Sequence, residues 1–154
     1  EPVFFKLIEG DQEFDFPRGT AEGYVARVDA GDPEGALTFF TDRWAGREGA
    51  WAAMPEPVRA MMRRGGARLR HEWASGLEHG FLPADPERFA AELAGVPLLL
   101  VQGGDTVPAA ALVCERVAAL RPAARLTVPG AGHMAPFTHA DAVAGPVEAH
   151  LDAA

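Results

Sequence analysis

Residues 96–108 read VPLLLVQGGDTVP, and their reading decides the fold. Val96–Val101 is apolar without alternation, so both of its faces are greasy. That pattern predicts a parallel strand covered by helices on both sides. Gly103-Gly104 ends the strand, and Pro108 suits the first position of a helix over Pro108–Leu120, with Leu112, Val113, Val117 and Leu120 inward. Pro122 stops that helix, Ala124–Val128 predicts a second short strand, and Gly130-Ala131-Gly132-His133 forms a tight loop beyond it. A last amphipathic segment carries Val143, Val147 and Leu151, and Gly145-Pro146 predicts a kink or a split in it. Strand and helix signals that alternate in this way indicate α/β architecture from about residue 95 onward.

Upstream of this stretch helix signals dominate. Residues 2–8 form a short apolar run whose periodicity fits either a strand end or a helix start, and Gly10 to Gly19, with Pro17, reads as a loop. A helix is expected over Ala21–Ala30. A clearer one starts at Asp32 as N-cap with Pro33 behind it and stops at Gly46. A third is expected from Pro55 to Arg64, ended by Gly65-Gly66, and a fourth carries Leu69, Trp73 and Leu77 along one stripe. Residues 80–86 read as a linker, and Glu87–Leu93 as a short helix.

Composition narrows the function classes. The 154 residues are 48% apolar and 23% charged, which is the globular range, and the formal net charge is −8. An acidic chain is repelled by phosphate, so neither nucleic acid nor an anionic membrane is an expected partner. No apolar run approaches a bilayer span, and a cytoplasmic setting is expected. The single cysteine, Cys114, excludes an internal disulfide framework and a thiolate zinc site, and its place within a helix beside Val113 and Val117 reads as packing. His71-Glu72 opens like H-E-x-x-H, but residue 75 is serine, so no metal is implied. No G-x-G-x-x-G follows a strand, so no dinucleotide is implied either. The basic run of Arg63, Arg64, Arg68 and Arg70 reads as a solvated helix face.

Residues 96–108, the helix after them, and residues 124–143, ARLTVPGAGHMAPFTHADAV, together resemble the end of an α/β-hydrolase. The preceding helical block, including FTDRWAGREGAWAAMPEPVRAMM at 40–62, resembles the cap of small bacterial members of that family. The resemblance implies a fold class: α/β, the C-terminal part of an α/β-hydrolase sheet with a helical cap and with the nucleophile half absent from this chain. It divides the chain into a cap (lid) region at 1–86, in which residues 1–8 are the exit of a strand, and a C-terminal part of the hydrolase core at 87–154. The family's nucleophile lies in a G-x-S-x-G elbow after a strand. The one serine, Ser75, lies in WASGL on an expected helix and is not that elbow. The chain, which opens at Glu1, is therefore expected to be the C-terminal portion of a longer protein. Its partner would be the N-terminal half of the same fold, on the same or a separate chain.

The resemblance also implies the chemistry. It is hydrolysis of an ester, or of a similar acyl or carbon–halogen bond, by a nucleophile–His–acid mechanism on a small apolar substrate, with no cofactor. His133 is the implied catalytic histidine, since an imidazole can take a hydroxyl proton near neutrality and return it. Two carboxylates compete for the acid. Asp105 follows the first strand, but the family's G-x-x-D places the acid three residues after the glycine, and from Gly103 that position is Thr106. Glu1 is the rival, because some members carry the acid at the end of the strand before the cap. Phe4, Phe5, Trp51 and Met134 are the candidates for lining a substrate pocket, and packing is the reading for the other cap aromatics and methionines. The alternative class is a non-catalytic or degenerate α/β-hydrolase-like binding protein, towards which the departure at Thr106 points. An acyltransferase on the same fold is a third reading.

Overall fold

The computed structural model describes residues 1–153. Its helices are α1 (Asp15–Asp29), α2 (Pro33–Ala45), α3 (Ala50–Ala53), α4 (Glu56–His79), α5 (Pro86–Glu92), α6 (Pro108–Leu120), α7 (Ala135–Thr138) and α8 (Ala140–Ala153). Short 3-10 turns at Phe5–Ile8 and Gln12–Phe14 precede them. Two strands, β1 (Leu99–Gly103) and β2 (Ala124–Val128), pair in parallel from Leu99 opposite Ala124 to Gly103 opposite Val128.

This corrects the expected fold class. The chain is 66% helical and holds only a two-stranded parallel sheet among the described residues, so it is a mostly helical protein with one β1–α6–β2 unit rather than an α/β-hydrolase sheet. The physical reason lies upstream of β1. The apolar run near the start, expected as the exit of a strand, closes into the 3-10 turn Phe5–Ile8, with Phe5 and Ile8 buried. Everything from there to residue 92 that is regular is helical.

The helices follow local chemistry, with three exceptions. In α2 the Asp32 carboxylate accepts the Gly35 N–H at 2.8 Å, Pro33 fills the first turn, and Gly46 closes the end at φ 64°. The first exception is α1, which begins at Asp15 and takes in residues read as loop. Pro17 falls in its first turn, where an amide N–H would have no helical partner anyway. The second is α4, one continuous helix of 24 residues where two were expected. Gly65 and Gly66 disfavour helix by about 1 kcal/mol each relative to alanine, yet the stripe of Met62, Leu69 and Trp73 packs across them. Gly66 has a use there, since the Tyr24 hydroxyl donates to its carbonyl at 3.3 Å and a Cβ would sit 3.4 Å from the hydroxyl oxygen of Tyr24. The third is α8, which runs through Pro146 unsplit.

The sheet separates two apolar clusters. Leu100 packs with Phe5, Trp44, Trp73 and the α6 residues Ala109, Val113 and Val117, in a core continuous with the α1–α2–α4 helices. Val101, the next residue, packs with Leu126, Val128, Val143 and Val147. Successive strand residues face opposite ways, so α6 and α8 cover opposite faces. The core thus runs through both halves of the chain, and the carboxyl ends of both strands emerge together.

Candidate active site

Those carboxyl ends build the site. After β1 the chain turns through Gly103, Gly104, Asp105 and Thr106. After β2 it turns through Pro129 to Gly132 and presents His133. The two turns are stitched by backbone: Gly104 N–H donates to the Val128 carbonyl and Asp105 N–H to the Ala131 carbonyl, both at 2.8 Å. They touch most closely at Gly103, where an added Cβ would lie 2.4 Å from the carbonyl oxygens of Ala131 and Gly132. Only glycine fits there.

Glu1 reaches this junction from the far end of the chain. Its amino group donates to the Val101 carbonyl at 2.9 Å, alongside β1. Its carboxylate accepts three hydrogen bonds, each 2.7 Å long: Gly103 N–H on Oε1, and the Thr106 hydroxyl and His133 Nδ1 on Oε2. The side chain is only 3% exposed, and that of His133 20%. Burial alone would raise the Glu1 carboxyl. The bonds from His133, Thr106 and Gly103 and the charge of His133 together outweigh burial and hold it below its ordinary value. A carboxylate that accepts from Nδ1 places the proton on that nitrogen and leaves Nε2 for another partner. The face of the imidazole stacks on Trp44 of α2, with ring centroids 4.2 Å apart and planes 29° apart.

The structure therefore brings Glu1 and His133 together and leaves Asp105 apart. As the histidine's acid Asp105 is corrected: it is exposed, the imidazole is bonded to Glu1, and the position where the acid was sought, Thr106, supplies a hydroxyl to the Glu1 carboxylate instead.

The substrate-lining candidates divide. Phe5, 2% exposed, stacks on Trp73 at 6.0 Å and meets Phe81 edge-on, which makes it core. Trp51, 4% exposed, donates its indole N–H to Glu34 at 3.0 Å under the Arg63 guanidinium, so it too is structural. Both are corrected as pocket residues, because their faces are already covered. Phe4 is half-buried edge-on against Phe89 at 4.8 Å. Met134, directly after His133, is exposed, as is Phe137 one turn on. A cleft of about 680 Å³ between α1 and α2, lined by Arg27, Phe39, Asp42, Arg43 and Arg47, includes neither Glu1 nor His133.

Three participants escaped the sequence reading: the Gly103 amide, the Thr106 hydroxyl and the Trp44 ring. Thr106 alone left a signal, as the residue standing where a carboxylate was expected.

No helix is long and apolar enough to cross a membrane among the described residues. No protein family, curated protein or solved structure matches the chain.

Proposed function

We propose that the Glu1–His133 pair is the acid–base part of a nucleophilic hydrolase site, acting on an ester or a similar bond, with the nucleophile supplied from outside this chain. The observation that carries the reading is the 2.7 Å bond between Glu1 Oε2 and His133 Nδ1, supported by Thr106 and Gly103 on the same carboxylate. The resemblance of residues 96–143 to the end of an α/β-hydrolase supplies the reaction class.

Under this reading the pair acts first as general base and then as general acid. His133 Nε2 takes the proton from the nucleophile's hydroxyl or thiol as that group attacks the carbonyl carbon. The same proton then passes from Nε2 to the leaving group as the scissile bond breaks, which leaves an acyl intermediate on the nucleophile. Water repeats the cycle and releases the acid. Glu1 fixes the tautomer and stabilises the imidazolium without itself becoming protonated. Its three donors keep it ionised in a nearly water-free position. The departure at Thr106, which pointed towards a non-catalytic protein, has a role under this reading: the hydroxyl supports the carboxylate that came from elsewhere.

The test is kinetic. In a protein that joins this chain to its nucleophile, His133→Ala and Glu1→Gln each lower kcat for an activated ester by roughly 10³–10⁴-fold, while Asp105→Asn leaves it within about twofold. Equal rates for wild type and Glu1→Gln overturn the assignment. The 154 residues alone are expected to show no turnover, and hydrolysis by them that His133→Ala abolishes overturns the external nucleophile.

A further inference from the structure

The aromatic core of the helices ends on His133. Phe16 meets Trp44 edge-on at 5.1 Å, Phe40 lies 6.2 Å from both Trp44 and Trp73, and Phe5 stacks on Trp73. Trp44 alone among these rings also touches the site, through its stack on the imidazole. It is 7% exposed, and its indole nitrogen has no hydrogen-bond partner among the described residues. Packing of α2, and no polar tether, therefore sets where the ring lies.

An imidazole has two ways to leave a productive pose: it can slide off its carboxylate or rotate about its own bonds. Glu1 blocks the first by holding Nδ1. It resists the second only loosely, because a single hydrogen bond keeps much of its strength over a range of angles and leaves the ring free to rock. A flat indole against the ring face removes that rocking, and its electron-rich face favours the charged ring that forms when Nε2 takes a proton.

We propose that Trp44 is the positioning residue of the Glu1–His133 pair, and that through it the seating of α2 governs whether His133 presents Nε2 to the nucleophile. The functional part of this rests on reading that pair as the acid–base half of the site. The positioning part is measurable on this chain without any nucleophile, so the two fail separately.

Two measurements decide it. Protonated imidazole in contact with indole quenches its fluorescence. Emission from the three tryptophans falls on acidification in the wild type, and that fall is lost in His133→Gln. Equal quenching in both chains overturns the stack, and with it the proposal; this comparison needs no change at Trp44. The second reads the proton of His133 Nδ1 that bonds Glu1, a downfield resonance in proton NMR. It is lost through exchange in Trp44→Met, which keeps an apolar side chain but removes the flat face, and is retained in Trp44→Phe and in Phe40→Leu. A resonance that survives in Trp44→Met shows that the carboxylate orients the ring unaided and overturns positioning. Loss in Phe40→Leu, or failure of phenylalanine to rescue, reduces Trp44 to general packing and overturns it as well.

Discussion

At the scale of residues, the pair depends on positions that tolerate little change. Gly103 both donates to Glu1 and lies against the His133 loop, so Gly103→Ala forces two backbone oxygens aside. Overpacking of this kind costs about 1–3 kcal/mol, and a lowered urea midpoint together with loss of the His133 Nδ1 resonance is the expected outcome. A stability equal to wild type would mean that the two turns are not in contact. Glu1 makes a second prediction. Its carboxyl lies below the ordinary 4.5 when folded, so the folded chain binds fewer protons in the acid range than the unfolded one. The stability this contributes is complete above about pH 4.5 and drains away as pH falls through the folded value. The urea midpoints of wild type and Glu1→Gln should therefore converge on acidification. A constant gap down to low pH would contradict it. Glu1 entered the sequence reading only as the rival acid implied by the resemblance, because 132 residues separate it from His133 and no local pattern encodes such a meeting, and Trp44 was read only as packing. Asp105 drew attention by lying close in sequence to a strand end, whereas the carboxylate that arrives is set by how the first residues lie along β1.

At the scale of elements, legibility tracks how local the cause is. The limits of α2 were readable because the Asp32 cap, Pro33 and Gly46 act within a turn. The limits of β2 and α6 were readable for the same reason, with Pro108 and Pro122 as punctuation. The start of α1 was not, since a proline marks a loop or a first turn with equal ease. The continuity of α4 was hidden because its Gly65-Gly66 pair is outweighed by packing against α1 that no window of sequence contains. Gly65 tests this. A Cβ there meets nothing within 4 Å, so Gly65→Ala should stabilise the protein by about 0.5–1 kcal/mol in thermal or urea unfolding. Destabilisation would mean that the helix is broken there after all.

At the scale of the whole molecule, the apolar pattern of residues 96–101 announced a strand buried on both faces, whereas β1 begins only at Leu99, its residues Leu99 to Gln102 are half-buried between two apolar clusters, and Val96 is exposed. The pattern did not reveal how small the sheet is, since a greasy strand looks the same beside one neighbour as beside six. The division near residue 86 is likewise invisible in the packing, where Phe5, Trp44 and Trp73 share a core with Leu100 and Val113. Such a core predicts one cooperative transition, coincident by far-UV circular dichroism and tryptophan fluorescence. Two separated transitions would show that residues 1–86 and 87–154 fold independently. The shared core also gives the site its character: a histidine beyond the end of one strand, the carboxylate that bonds it from Glu1 and its stacking partner from a helix, each held by a different part of the molecule.

The most direct test follows the proton that this arrangement places on His133 Nδ1. Its downfield resonance should be present in wild type and in Asp105→Asn and absent in Glu1→Gln. A signal that outlasts the loss of the Glu1 carboxylate, or that vanishes with Asp105, would contradict the pairing on which the proposed chemistry stands.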